Sequence, residues 1–87
     1  MSTLERLQSI LARDFDLKPA ALVADATLES LDIDSLRMIE ILFTVEESFG
    51  ITVGAEPAQI RARVRTLGDL AAYVDEVVAA RPEAAAS

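Results

Sequence analysis

Leu67, Leu70, Ala71, Val74, Val77 and Val78 stand at i, i+3, i+4, i+7, i+10 and i+11, a spacing that an α-helix gathers onto one face. A strand would divide them between the two faces of a sheet. Thr66-Leu-Gly-Asp69, just ahead, has the form of a capping box with aspartate in place of glutamate. The same pattern opens the chain, where Ser2-Thr-Leu-Glu5 precedes Leu7, Ile10, Leu11 and Phe15 and predicts a helix near residues 3–14. In the middle, Asp34 reads as the N-cap of a helix over about residues 35–49, with Ile33 and Met38 in the two staple positions and Gly50 as its stop. Around that helix Leu36, Met38, Ile39, Leu42, Phe43, Val45 and Phe49 fill an arc wide enough to predict packing on more than one side. Glu46 falls inside the arc and is expected to escape to solvent near the helix end.

The connecting stretches are less regular. Residues 16–33 predict a long ordered loop with one turn near Pro19–Val23, pinned to the core by Leu17, Leu22, Val23, Leu28 and Leu31. Glu56-Pro57 suits the opening of a helix, yet Ala58, Ile60 and Ala62 give it little apolar grip, so it is expected to be short and mobile. Arg61, Arg63 and Arg65 read as its solvated face. Eighty-seven residues, 52% of them apolar, suffice for one core. The expected fold is all-α: a small four-helix bundle of three main helices and one short one, with a long loop between helices one and two. It occupies residues 1–80, with 81–87 as a flexible tail.

Composition narrows the chemistry. Without cysteine there is no disulfide and no thiolate nucleophile, and without histidine the usual general base and the commonest metal ligand are gone. The net charge is −7; residues 1–50 hold four basic and ten acidic groups, residues 51–87 four and five. Such a chain repels phosphate backbones, so nucleic acid is not an expected partner and basic protein surfaces are. No apolar run exceeds five residues, far too short for a membrane span, and the N-terminus has no signal-peptide pattern. A cytoplasmic monomer is expected.

The informative segment is Leu31-Asp-Ile-Asp34-Ser35-Leu36. Ser35 would lie at the first position of helix two, beside free N–H groups and the positive end of the helix dipole, a place that tolerates a phosphodiester. The plain alternative is that Asp34-Ser35 merely caps the helix. Ser35 lacks a histidine to make it a triad nucleophile, and Asp34 is a weak base near neutral pH. Chemistry at Ser35 would therefore need activation by another protein.

Asp34-Ser35-Leu36 at the start of helix two, preceded by Leu28 and Leu31 and followed by Ile39-Glu40-Ile41 and Glu46-Glu47-Ser48-Phe49-Gly50-Ile51, resembles the acyl carrier protein family over nearly the whole chain. The resemblance implies that Ser35 bears a covalent 4'-phosphopantetheine arm, attached from coenzyme A by a separate phosphopantetheinyl transferase, with Asp34 and Leu36 flanking it. The arm would hold acyl groups as thioesters, making the protein a carrier and not an enzyme. Asp34, Leu36, Arg37, Met38, Glu40 and Glu47 would lie along the helix that partners read: acyl-transferring and acyl-modifying enzymes with basic docking patches. From the residues alone, Glu40 and Glu47 equally suit a solvated face, Leu36 stands between core and exposed contact, and Met38 and Ile39 read as core. The pattern departs from the family at Asp32, where glycine is common, at bulky Ile33, and at Arg37, which interrupts the acidic stripe. These departures, with the arginines at 61, 63 and 65, point to a specialised lipid pathway. Two other readings remain open at this point: a stand-alone peptidyl or aminoacyl carrier, and an unmodified acidic helical interaction module.

Overall fold

The computed structural model describes residues 2–54 and 56–80; the tail expected at 81–87 lies outside the described residues. Four helices follow one another: α1 (Thr3–Asp14), α2 (Ser35–Phe49), α3 (Pro57–Arg63) and α4 (Leu67–Ala80). This is the expected all-α arrangement of three main helices and one short one, with a long loop between α1 and α2. Within that loop a single 3₁₀ turn occupies Pro19–Ala21.

The helix ends form where the sequence marks them. Ser2 and Glu5 close a reciprocal capping box on α1, and Thr66 and Asp69 do the same for α4. The amides of Arg65 and Thr66 both donate to the Asp69 carboxylate and hold its pKa below the ordinary aspartate value. Gly50 takes the left-handed conformation (φ 65°) at the end of α2, which a residue without Cβ adopts freely. Arg6 reaches over from α1, donates to the Ser48 carbonyl at 2.6 Å and lies 3.9 Å from the Phe49 ring centroid. A cation is thereby placed at the negative end of the α2 dipole.

Leu7 and Leu11 of α1, Met38, Ile41 and Val45 of α2, and Leu67, Leu70 and Val74 of α4 are fully buried in one cluster. α3 grips better than its alanines promise, because Ile60 is 1% exposed and Val64, just after the helix, 3%. From the loop, Leu22, Leu28 and Leu31 enter the core as expected and Leu17 packs on its edge. Val23 does not: it is 52% exposed. Glu46 also departs from expectation, since its Oε2 accepts the Val53 N–H at 2.7 Å and ties the following loop to α2.

The loop before α2 hangs on the α3–α4 junction. Gly68 N–H donates to the Ala24 carbonyl, Leu67 N–H to Ala26, and Leu28 N–H to Arg65, each at 2.9 Å. Thr27 and Thr66 form an isolated antiparallel bridge, the one trace of strand pairing among the described residues and one the sequence does not announce. A Cβ on Gly68 would stand 3.1 Å from the Ala24 carbonyl oxygen, so glycine permits this close approach.

Candidate functional site

Asp34 is the N-cap of α2. Its carboxylate accepts the Arg37 N–H and its carbonyl accepts the Met38 N–H, both at 2.8 Å. Capping is therefore done by Asp34, and the neighbouring serine is spare. Ser35 follows as the first helical residue, exposed, and no described residue hydrogen-bonds its hydroxyl. The backbone thus presents a free hydroxyl to solvent at the positive end of a 15-residue helix. A phosphodiester at that oxygen fits without burying charge.

The turn leading to Ser35 is unusual. Asp32 lies in the left-handed region at φ 58°, where an L-residue costs about 1–2 kcal/mol and glycine almost nothing. This backbone explains why glycine suits the position and why aspartate, among the side chains that tolerate the conformation best, can replace it. Asp32→Gly is expected to melt no lower than the parent. Asp32→Val is expected to lose about 1–2 kcal/mol, which paired thermal melts would check. Ile33 is 1% exposed and packs into the cluster with Met38, the staple that sets the entry angle of α2.

Beyond Ser35 the helix has two faces. Met38, Ile41, Leu42 and Val45 point inward. Leu36 (70% exposed), Ile39 and Phe43 (63%) point outward, at i, i+3 and i+7, with exposed Glu40 and Glu47 beside them. The wide apolar arc is packed by α1 and α3, but only over its inner part; the outer part, at Leu36, Ile39 and Phe43, is left open. Among the residues expected on the recognition helix, Asp34, Leu36, Arg37, Glu40 and Glu47 are exposed and lie along one flank from Ser35. Met38 is not at the surface: it is fully buried, so its part is to pack. Ile39 and Phe43, taken as core from the apolar arc, are the surface residues that pattern reading misses. Arg37 lies with its guanidinium 3.8 Å from Glu40 Oε1 and 5.7 Å from the Phe15 ring centroid, so the positive charge in the stripe is partly answered by its neighbour.

A cleft of about 300 Å³ adjoins the Ser35 turn, lined by Glu29, Asp32, Ile33, Asp34 and Arg61. Arg61 enters from α3, and its Nε donates to the Ile33 carbonyl at 3.0 Å. Of the three arginines read as a solvated face, this one is half-buried and engaged.

The family profile described as phosphopantetheine attachment site matches residues 5–74, the span that holds α1 to most of α4 and the Ser35 turn. The chain belongs to the acyl carrier protein family. It is 30% identical over 76 residues to an acyl carrier protein of Streptococcus pneumoniae, covering 87% of this chain and 96% of that one. It is also 40% identical over 60 residues to a meromycolate extension acyl carrier protein of Mycolicibacterium aurum, covering 69% of this chain and 59% of the relative. A similar carrier from Mycobacterium tuberculosis matches at 40% over 58 residues, 67% of this chain and 48% of its own length. As an acyl carrier protein the chain bears a phosphopantetheine arm and is non-catalytic; its role is to hold cargo for enzymes of biosynthesis. No described helix is long and apolar enough to cross a membrane.

Proposed function

We propose that Ser35 is the residue that carries the 4'-phosphopantetheine arm, and that the chain ferries acyl groups, as thioesters, between enzymes of a fatty acid, polyketide or specialised lipid pathway. The observation that carries this is the exposed Ser35 hydroxyl at the first position of α2, left spare by the Asp34 cap. When attached, the arm supplies the thiol that the cysteine-free chain lacks. Attachment from coenzyme A forms a bond from Ser35 Oγ to phosphorus and breaks the phosphoanhydride, with adenosine 3',5'-bisphosphate leaving. The hydroxyl proton passes to a base of the phosphopantetheinyl transferase, because this chain has no histidine or cysteine and Asp34 is engaged in capping.

Docking follows from the outer face of α2. Leu36, Ile39 and Phe43 offer an apolar strip, and Glu40 and Glu47 set orientation and on-rate toward basic patches on partner enzymes. Likeness to meromycolate extension carriers is in keeping with a specialised lipid pathway. The protein acts as a cytoplasmic monomer with a single carrier domain over residues 1–80. Intact mass after incubation with coenzyme A and a broad-specificity transferase is the test, followed by loading with acyl and aminoacyl donors. A gain of one phosphopantetheine and loading by acyl donors alone is the expected result. Loading by aminoacyl donors alone would replace the cargo assignment with the aminoacyl one.

A further inference from the structure

The carbonyl of Ile33 lies just outside the helical ladder of α2, whose first bond is accepted by Asp34. Ile33 itself is 1% exposed, and a carbonyl at so buried a residue needs a donor. Its own N–H is already used on the Leu28 carbonyl at 2.9 Å. The donor to its oxygen is Arg61 Nε, at 3.0 Å, from a helix 28 positions further along the chain. A bond from an ionised donor is shorter and about twice as strong as a neutral one. It therefore holds the peptide between Ile33 and Asp34, and through it the cap that presents Ser35.

Two neighbouring features bear on this bond. The residue before Ile33 is Asp32, held at φ 58°, so the turn is not one the chain adopts unaided. Glu29, Asp32 and Asp34 line the same cleft as Arg61, so its charge lies in acidic surroundings while its bond goes to the Ile33 carbonyl. Among the described residues, neither Arg63 nor Arg65 has a side-chain bond to this turn. The Arg63 guanidinium lies 5.7 Å from the Tyr73 ring centroid, and Arg65 meets the loop through its backbone carbonyl.

We propose that Arg61 is a positioning residue for Ser35: its guanidinium fixes the Ile33–Asp34 peptide and so sets the rate at which a transferase modifies the serine. The inference rests on the reading of Ser35 as the attachment residue. It assigns to α3 a part in presenting the hydroxyl, whereas the outer face of α2 does the docking.

The test is steady-state phosphopantetheine transfer to the apo-protein, comparing the parent with Arg61→Met and Arg65→Ala at a temperature where all are folded by circular dichroism. Methionine keeps much of the alkyl stem that packs but removes the donor. Arg61→Met is expected to lower kcat about tenfold, as misplacement of a reacting group does, with KM within about twofold because the docking face is untouched. Arg65→Ala, which removes the same charge, is expected to match the parent. In the Arg61→Met protein the ¹³C' resonance of Ile33 should move, and Arg61→Gln should recover part of the rate. An unchanged kcat in Arg61→Met, an equal loss in Arg65→Ala, or a loss confined to KM would each overturn the assignment. If the parent gains no phosphopantetheine, the attachment reading fails and this inference with it; a modified parent with an unaffected Arg61→Met refutes this inference alone.

Discussion

Ser35→Ala is expected to gain no mass from coenzyme A under conditions that convert the parent completely, while melting at nearly the same temperature. The loss is total because alanine removes the only atom to which the arm can be joined at this position. The unchanged stability follows from the division of labour at the turn. Asp34, not Ser35, accepts the Arg37 N–H and caps α2, and Ser35 is exposed with no described partner for its hydroxyl. Exposed substitutions away from caps and cores stay within about 0.5 kcal/mol. Intact mass and a thermal melt on the same sample read both halves. A Ser35→Ala protein that still accepts the arm would move the attachment to another residue. Asp34→Ala supplies the contrast: it should melt lower by about 1 kcal/mol, the worth of a cap, yet retain the serine.

Two residues of α2, two positions apart, should behave in opposite ways. Met38 is fully buried, whereas Leu36 is 70% exposed. Met38→Ala removes a packed side chain and leaves a cavity, which costs about 2–5 kcal/mol. For a domain whose whole stability is about 5–15 kcal/mol, that is a large share, and the melting temperature should fall by about 8–40 °C. Its interaction with partner enzymes, measured well below that temperature, should change little. Leu36→Ala should leave the melt within about 2 °C and weaken partner binding about tenfold, the effect of truncating a central apolar contact. Thermal melts paired with binding to a transferase separate the two. Equal effects of both substitutions on binding, with equal melts, would show that burial does not divide the residues of this helix by role.

How far each feature could be read in advance depended on the range of the interaction behind it. The starts of all three long helices and the stop of α2 were legible because capping is local: Ser2 with Glu5, Asp34 with the amide of Arg37, Thr66 with Asp69, and Gly50 as a stop act within a few residues of chain. The Asp34-Ser35-Leu36 motif was legible for the same reason, since a first-turn serine after an aspartate cap is a statement about four or five consecutive residues. Which apolar side chains of α2 face solvent was not legible. Periodicity gives the angular width of an arc, but the number of neighbours covering it is set by where α1 and α3 lie, so Ile39 and Phe43 passed for core.

The sequence by itself determined the helices, where each long one begins, the absence of histidine and cysteine chemistry, and the Asp34-Ser35-Leu36 motif on which the proposed attachment rests. The tertiary structure alone decided which distant groups tie the loops to the helices. Arg61 meets Ile33 across 28 positions of chain, Leu28 meets Arg65 across the same junction, and Glu46 is drawn back to Val53. A polar group left buried by folding takes whatever donor or acceptor the fold brings within about 3 Å, and that partner is chosen by packing in space, which adjacency in sequence does not encode.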